Sequence, residues 1–331
     1  MRTAASRGMY RMIVLLVAGC TDIATDVPFQ GELVVTELED LIDLDVTGST
    51  IRWTTNSTDG SQLHTADLAD RPILARNISP HGTTTANLLV DGDTVYVTDY
   101  FGVMAITDDG TAQVIKDDFV STLALDDNHD LVWGHVGFVS WFDGGVADVG
   151  IATISHIEDL VVSGDRIYAS TRTVRANGLV YGSLYRIDKP TRTLKLIAHA
   201  PSFASEFDEV SDQQLGCGLH VIADTVYWCV EGERGVEGGP RKLIAEVRPR
   251  GLELVLPPQR ASRFVDHEGT IYWTASEEGA PLWGLTPGEA PRELLPESGI
   301  GSLRTITDGY LYGVKVSPYP GELQIRRVPI P

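Results

Sequence analysis

A unit of short strands that recurs seven times is the feature that most constrains the fold of this chain. Its clearest copy is Ile271-Tyr272-Trp273-Thr274, a short strand that follows a turn and begins with a β-branched residue and an aromatic residue. The aligned second positions lie 36 to 59 residues apart and are Arg52, Tyr96, Val132, Tyr168, Tyr227, Tyr272 and Tyr312. A period near 40 residues with four short strands per unit is typical of a propeller blade. The sequence therefore predicts an all-β fold, a β-propeller of seven four-stranded blades.

The second unit shows the predicted strand order most clearly. Asn87 to Val90 is expected as the inner strand, followed by strands at Thr94 to Thr98, Gly102 to Thr107 and Ala112 to Lys116. A β-sandwich is the alternative, because alternation alone is found in any all-β chain. Six or eight blades are also possible, because the first and third units match the central motif of the repeat poorly.

The seventh unit lacks its outer strand, because the sequence reaches Pro331 directly after the third strand. Proteins usually cover such an unpaired edge. The segment Gly31 to Leu38 precedes the first unit and has the pattern of a strand. We expect it to supply the missing strand and to close the ring.

The units resemble the YWTD-type blades of six-bladed propellers and, more loosely, the propeller repeats of bacterial TolB-like lipoproteins. The resemblance depends on Tyr96-Val97-Thr98-Asp99, on Gly102 to Ile106 with Asp109-Gly110, and on Tyr272-Trp273-Thr274. It covers most of residues 42 to 328 and implies the scaffold only, because the motif Asp occurs once.

The first 20 residues have the pattern of a secretory signal. Three arginines and no acid precede the apolar stretch Met12 to Gly19, which is too short to span a bilayer. Val17-Ala18-Gly19-Cys20 resembles a bacterial lipobox, which implies lipidation of Cys20. We therefore expect a lipoprotein signal peptide at 1–19, a short linker at 20–30 and the propeller at 31–331. A secreted protein with an ordinary cleavage site, or a cytoplasmic protein with a later start, is the alternative.

Localisation and partners follow from the same features. The expected place is the bacterial cell envelope, with the outer membrane favoured by Thr21 after the Cys. The net charge of −20 repels nucleic acid, so no nucleic-acid partner is expected. The partners expected instead are the membrane, through the N-terminal lipid, and a protein, peptide or glycan ligand. The protein is expected to be a monomer.

Two further cysteines flank a predicted hairpin that turns at Ala223-Asp224. This turn sets Cys217 within one position of Cys229 across the hairpin, close enough for a disulfide. Export would keep such a pair oxidised. A metal site is the alternative, although only His220 lies near as a further ligand.

Polar residues begin the inner strands of most units. Because inner strands run along the channel of a propeller, these residues are expected to form a ring at one mouth, where ligands bind in this architecture. The candidates for ligand binding are Asp43, Asn87, His156, Asp159, His220, Arg263 and Arg304, with Thr122 and Glu158 nearby. The alternative is that these residues are solvated or satisfy strand ends.

Insertions in the fourth and fifth units could also carry function, because long loops on a rigid ring often do. They span Thr173 to Gly182, Ala200 to Leu215 and Glu231 to Pro240. The loop from Pro201 to Leu215 places Phe203 and Phe207 among acids.

No established catalytic motif is present, so the sequence predicts no catalytic residue, metal or cofactor. The string Asp126 to Asp130 resembles the start of a calcium loop, but Leu131 stands where the turn needs Gly, so we interpret it as a hairpin turn. A binding or scaffold module is therefore the first functional hypothesis. An envelope hydrolase or lyase is the alternative, with His156, His220 or Asp159 as acid or base and an arginine holding an anion.

Overall fold

The computed structural model describes the strand-forming parts of the chain. They are residues 32–38, 41–57, 60–68, 74–78, 87–99, 102–107, 109, 111–142, 145–151, 156–174, 179–199, 203–204, 218–231, 242–248, 251–255, 261–275, 281–316 and 323–330. Within these ranges, 29 strands pair into seven sheets, six of four strands and one of five. None of the described helices is both long and apolar enough to cross a membrane.

The chain enters the fold through a separate strand and then builds the first three sheets in order. The separate strand is Glu32–Leu38 (β1). Sheet 1 consists of Leu41–Thr47 (β2), Thr50–Ser57 (β3), Gly60–Asp67 (β4) and Leu74–Asn77 (β5). Sheet 2 consists of Asn87–Asp91 (β6), Thr94–Asp99 (β7), Gly102–Thr107 (β8) and Ala112–Asp117 (β9). Sheet 3 consists of Thr122–Leu125 (β10), Leu131–His135 (β11), Phe138–Phe142 (β12) and Val146–Gly150 (β13).

The remaining four sheets follow the same order. Sheet 4 consists of His156–Ser163 (β14), Arg166–Val174 (β15), Leu179–Asp188 (β16), Thr193–His199 (β17) and the short Phe203–Ala204 (β18), with a 3₁₀ turn at Lys189–Thr191. Sheet 5 consists of Leu219–Ile222 (β19), Thr225–Glu231 (β20), Lys242–Arg248 (β21) and Gly251–Val255 (β22). Sheet 6 consists of Ala261–His267 (β23), Thr270–Ala275 (β24), Leu282–Leu285 (β25) and Arg292–Leu295 (β26). Sheet 7 consists of Ser302–Thr307 (β27), Tyr310–Val316 (β28) and Leu323–Pro329 (β29), together with β1.

The first strands of the seven sheets lie side by side and form a closed circle. Strands β2, β6, β10, β14, β19, β23 and β27 each contact the next, and β27 contacts β2 again. The first strand of each sheet is therefore the innermost, as expected for a propeller. The all-β class and the propeller architecture predicted from the repeat are confirmed.

Two-residue turns that contain Gly or Asp join the two inner strands of every sheet except sheet 3. In sheet 7, Asp308 and Gly309 have φ values of +49° and +76°, both in the left-handed region. This pair of conformations is that of the turn type that matches the twist of a β-hairpin. The string Asp126 to Asp130 also forms a hairpin turn, because the Asp126 N–H donates to the Asp130 carbonyl.

The N-terminal strand completes sheet 7. Strand β1 pairs antiparallel with β29, with Glu32 opposite Arg327 and Val35 opposite Ile325. The sheet order is β1-β29-β28-β27, so the first strand of the chain occupies the outer position that the last repeat lacks. The predicted role of the segment that ends at Leu38 is confirmed.

The hydrophobic core is divided among the interfaces between sheets. Each described cluster of buried apolar residues joins one pair of neighbouring sheets, and together they follow the whole circle. Between sheets 3 and 4, for example, Trp141 and Val139 pack with Ile157 and Ile167. The tryptophans of the repeat are nearly all fully buried, and burial of such side chains dominates core energetics. This arrangement holds the innermost strands rigidly around the channel.

Two of the predicted insertions contain regular structure. Strands β15 and β16 extend as a hairpin as far as Val174 and Leu179, and therefore take up most of the insertion predicted at Thr173 to Gly182. Within the predicted loop from Ala200, Phe203 and Ala204 form β18, which pairs with the start of β16. These strands extend sheet 4 because their backbone groups continue its ladder. The predicted insertion from Glu231 to Pro240 lies outside the described residues after its first residue.

Candidate functional site

Four of the innermost strands carry a β-bulge near their starts. The register of pairing shifts between Leu41 and Asp43 in β2, between Ile157 and Asp159 in β14, between Ala261 and Phe264 in β23, and between Leu303 and Thr305 in β27. A bulge leaves one residue without a partner and re-aims its side chain, and such features are frequent next to functional sites. Arg263 and Arg304 are among the residues that these bulges leave unpaired, whereas Asp43 and Asp159 are the paired residues that directly follow a bulge.

The two acids satisfy backbone groups in the same way. The Asp43 carboxylate accepts hydrogen bonds from the backbone N–H of Leu44 at 3.1 Å and of Leu88 in the next sheet at 3.3 Å. Asp159 accepts one from the N–H of Leu160 at 2.9 Å, and another from Leu219, again in the next sheet. Each acid therefore fastens its own bulge to the neighbouring innermost strand.

Arg263 connects these acids across the mouth of the channel. Its Nη1 donates to Asp43 Oδ1 at 3.0 Å, although Asp43 belongs to sheet 1 and Arg263 to sheet 6. Burial alone would lower the pKa of Arg263, but the charges of Asp43 and Asp159 outweigh it and raise that pKa. Arg263 is thus held as a cation between two carboxylates.

Arg304 is the less satisfied of the two arginines. Its Nη1 lies 3.9 Å from Asp43 Oδ1, beyond hydrogen-bonding distance, and its Nε is buried without a hydrogen-bond partner. Burial, together with the charge of Arg263, lowers the pKa of Arg304 to about 10, against a smaller opposite effect of Asp43. The mouth therefore contains a guanidinium whose charge the protein compensates poorly.

Asp159 is the acid with the most unfavourable surroundings. Burial raises its pKa, and the charges of His220 and Arg263 and the two backbone hydrogen bonds offset this only in part. An acid whose pKa is raised by burial is a candidate for a functional group when it lies at a channel mouth.

His220 lies beside this group on β19 and contacts an acid of the next sheet. Its Nδ1 is 2.5 Å from Asp266 Oδ1. The pKa of Asp266 is lowered, because the hydrogen bond and charge of His220 outweigh the effect of burial. The other ring nitrogen, Nε2, is buried without a hydrogen-bond partner and packs against Gly218. A Cβ at residue 218 would lie 2.6 Å from that nitrogen, and φ there is +121°, so this position requires glycine.

The other predicted ring residues have different surroundings. Asn87 donates from Nδ2 to the Ser121 carbonyl at 2.7 Å and to Thr98 Oγ1 at 3.2 Å, and thereby links sheets 2 and 3. His156 is exposed, and its ring stands edge-on to Phe119 at 6.5 Å between centroids. Thr122 is buried at the start of β10. The structure therefore brings Asp43, Asp159, His220, Arg263 and Arg304 into one charged group, which we call the mouth cluster, whereas the ring contact of His156 is with Phe119.

Sequence reasoning missed Asp266 and the bulges themselves. The repeat alignment finds the first polar residue of each inner strand, but it assumes regular alternation along the strand. A bulge changes which face the following residues occupy, so Asp266 could not be assigned to the side of His220. The sequence has no glycine at these four positions that would have indicated a bulge.

The sequence also predicts a disulfide and no metal site. The described residues contain no group of three or more His, Cys, Asp or Glu side chains placed to hold a metal ion. Cys229 is buried on β20 and disulfide-bonded, and its N–H donates to the Gly218 carbonyl at 3.0 Å. Cys217 and Cys20 lie outside the described residues, so the pairing of Cys217 with Cys229 and the lipidation of Cys20 stay predictions.

Solved structures with the same architecture are similar over almost the whole chain. A catalytically inactive histidine-to-alanine variant of virginiamycin B lyase from Staphylococcus aureus, with quinupristin, aligns with a TM-score of 0.59 at 13% identity, covering 88% of this chain and 98% of that one. The β-propeller domain of the Trilobed protease from Pyrococcus furiosus aligns with the same TM-score at 11% identity and the same coverages. The computationally designed Ika8 protein aligns with a TM-score of 0.54 at 12% identity, covering 90% of this chain and 100% of that one.

These likenesses define the class of protein as a β-propeller, and at such low identity they show the fold alone. No protein-family model matches the sequence. No curated protein matches it either. The resemblance to YWTD-type and TolB-like repeats stays a prediction.

Proposed function

We propose that this protein is a lipid-anchored binding propeller of a bacterial cell envelope, which holds a protein, peptide or glycan at the mouth cluster. The observation that carries the proposal is that Asp43, Asp159, Arg263 and Arg304 lie in, or directly after, the β-bulges of four innermost strands. Polar groups that converge at the mouth of a rigid channel are the usual form of a ligand site in this architecture.

The finer architecture that we propose is one closed ring of seven blades, one for each sheet. The circle of contacts among the innermost strands supports it, and so do the hydrophobic clusters between neighbouring sheets. Polar bonds across these interfaces add to the closure. The Ser121 hydroxyl, for example, donates to the Ile157 carbonyl at 2.6 Å, and the Thr274 hydroxyl donates to the Gly301 carbonyl at 3.2 Å.

The proposed location depends on the N-terminal sequence. The apolar stretch before Cys20 and the lipobox-like Val17-Ala18-Gly19-Cys20 support export and lipidation, and Thr21 supports sorting to the outer membrane. The proposed partners are accordingly the membrane and one ligand of the envelope. The excess of 46 acids over 26 bases makes nucleic acid an unsuitable ligand.

Photocrosslinking from the mouth tests the binding function directly. A photoreactive phenylalanine analogue replaces His156, which is exposed at the start of β14, and in a control protein it replaces Val114, which is 61% exposed on the outer strand β9. Irradiation of intact cells should give a discrete crosslinked product from position 156 and none from position 114. Equal products from both positions, or none from either, would contradict a ligand at the mouth.

A lyase or hydrolase with its site at the same mouth is the second candidate. It is favoured by the close contact of His220 with Asp266, and by the raised pKa of Asp159, because such groups serve in acid–base catalysis. An activity screen on envelope substrates separates the two candidates. If turnover is found and is lost in His220→Ala but kept in His129→Ala, whose side chain is 72% exposed, the enzyme replaces the binding module.

A further inference from the structure

The two arginines of the mouth cluster differ in how the protein compensates their charges. Asp43 Oδ1 accepts from Arg263 Nη1 and from the Leu44 N–H, while its Oδ2 accepts from the Leu88 N–H. Asp43 is therefore engaged by three donors, and the guanidinium of Arg304 lies beyond hydrogen-bonding distance of it. Asp43, the acid near Arg304, is thus already hydrogen-bonded to Arg263.

Arg304 thus makes no hydrogen bond to any residue that the structure describes, although its side chain is only 23% exposed. A guanidinium has five N–H donors, and leaving them unpaired in a partly buried place costs free energy. Hydrogen bonds to an acceptor on a ligand would offset this free-energy cost. The Nε of Arg304 is buried, so the terminal Nη groups are the donors of this guanidinium that remain for a ligand.

From this geometry we propose that the terminal Nη groups of Arg304 bind a carboxylate of the ligand held at the mouth cluster. Two parallel N–H donors match the two oxygens of a carboxylate, which is the preferred planar pairing of arginine. This inference depends on the proposed function, because it names the chemical group by which the mouth recognises its ligand.

The surrounding charges favour a singly charged anion over a doubly charged one. Arg263 interacts with the charges of both Asp43 and Asp159, and Arg304 lies near Asp43, so a dianion would meet two carboxylates as well as two arginines. A carboxylate brings one negative charge instead of two and therefore meets less repulsion from Asp43 and Asp159. Like charges placed together at close range are strongly unfavourable.

Acetate titration of the purified full chain tests the proposal. Arginine Nε–Hε resonances are followed at constant ionic strength, with acetamide as the neutral probe of the same shape. We expect acetate to shift the Arg304 resonance and acetamide to leave it unchanged. The dissociation constant for acetate should rise at least tenfold in Arg304→Gln, and less in Arg304→Lys, which keeps the charge but loses the paired donors. Arg166→Gln, at a side chain 48% exposed on sheet 4, is the matched control and should bind acetate as the wild type does.

Thermal stability gives an independent measurement. Arg263→Gln removes the partner of buried Asp43 and should lower the melting temperature, whereas Arg304→Gln removes a poorly compensated charge and should leave it unchanged or raise it. Equal destabilisation by both substitutions would assign Arg304 a structural role and overturn the proposal. Unchanged acetate affinity in Arg304→Gln, or tighter binding of sulfate than of acetate, would overturn it as well.

The source of the carboxylate is distinguished by two further probes. N-acetylalanine presents the α-carboxylate of a peptide, and galacturonate presents that of an acidic sugar. The probe that binds more tightly than acetate, with the gain kept in Arg166→Gln and lost in Arg304→Gln, identifies the source. If a ligand is crosslinked at position 156 but none of the carboxylates binds, the proposed binding function stands. The proposal that Arg304 binds a carboxylate is then rejected.

Discussion

Asp126 shows at the scale of one residue how neighbouring sheets are fastened. It follows β10 in sheet 3, and its Oδ2 is 2.5 Å from the Nζ of Lys189, which follows β16 in sheet 4. Its Oδ1 accepts from the N–H groups of Asn128 at 2.8 Å and Asp130 at 2.9 Å. Burial acts to raise the pKa of Asp126, but Lys189 and these N–H groups lower it overall.

Lys189→Ala should therefore lower the free energy of unfolding by about 2 kcal/mol at pH 7, because it leaves a buried carboxylate without its cation. Urea denaturation measures the difference. Lys195→Ala is the matched control, since Lys195 is exposed on β17, and it should change stability by less than about 0.5 kcal/mol. A loss no larger than that of the control would show that the ion pair contributes little.

The same substitution should alter the dependence of stability on pH. A lowered pKa in the folded state means that Asp126 contributes stability above its ordinary pKa of 3.8, and that this contribution is lost as the pH falls through the folded value. The difference between wild type and Lys189→Ala should accordingly shrink in acid. A difference that is constant from pH 7 to below 3.8 would point to lost packing of the lysine stem instead.

Residues of the mouth were predictable where the repeat itself placed them. Asp43, Asp159 and Arg263 occupy equivalent positions of three units and Arg304 lies one position away from the equivalent place in a fourth, so alignment alone brought them together. The pair of Asp126 and Lys189 was not predictable, because the two residues are 63 positions apart and occupy turns whose sequences do not correspond. The same holds for Asp266, whose side of the strand depends on a bulge.

At the scale of one element, β1 was predicted by counting strands. A unit that ends after three strands requires a fourth, and only one unassigned strand-like segment stood outside the repeats. Antiparallel pairing with β29 confirmed this. The lengths of β15 and β16 were not predicted, because Thr173 to Gly182 lies outside the repeat pattern.

Val35→Asp tests how much the closing strand contributes. Val35 is 6% exposed on β1 and packs in the cluster that joins sheets 7 and 1, so a buried carboxylate there should cost about 3 kcal/mol or more. Val114→Asp makes the same change at an exposed site on β9 and should be nearly neutral. Deletion of residues 31–38 should lower the melting temperature further still, as followed by circular dichroism, and an unchanged value would mean that the ring is stable without its closing strand.

At the scale of the whole molecule, the proposed lipid anchor can be tested separately from the fold. Cys20→Ala should move the protein from the membrane fraction to the soluble fraction, because it removes the thiol that would receive the lipid. The measurement is fractionation followed by immunodetection, and Cys217→Ala, which keeps Cys20, should remain with the membrane. A Cys20→Ala protein that still sediments with membranes would exclude the lipid as the anchor.

The pairing of β1 with β29 also determines the order in which the molecule can fold. Glu32 lies opposite Arg327, so β1 must wait until β29 has been synthesised before it finds its partner. Contacts so distant in sequence form slowly, and until then the open edge of β29 is exposed to other chains. We infer that successive sheets pack early, that closure is the final and slowest step, and that a holdase-type chaperone would act on this late intermediate.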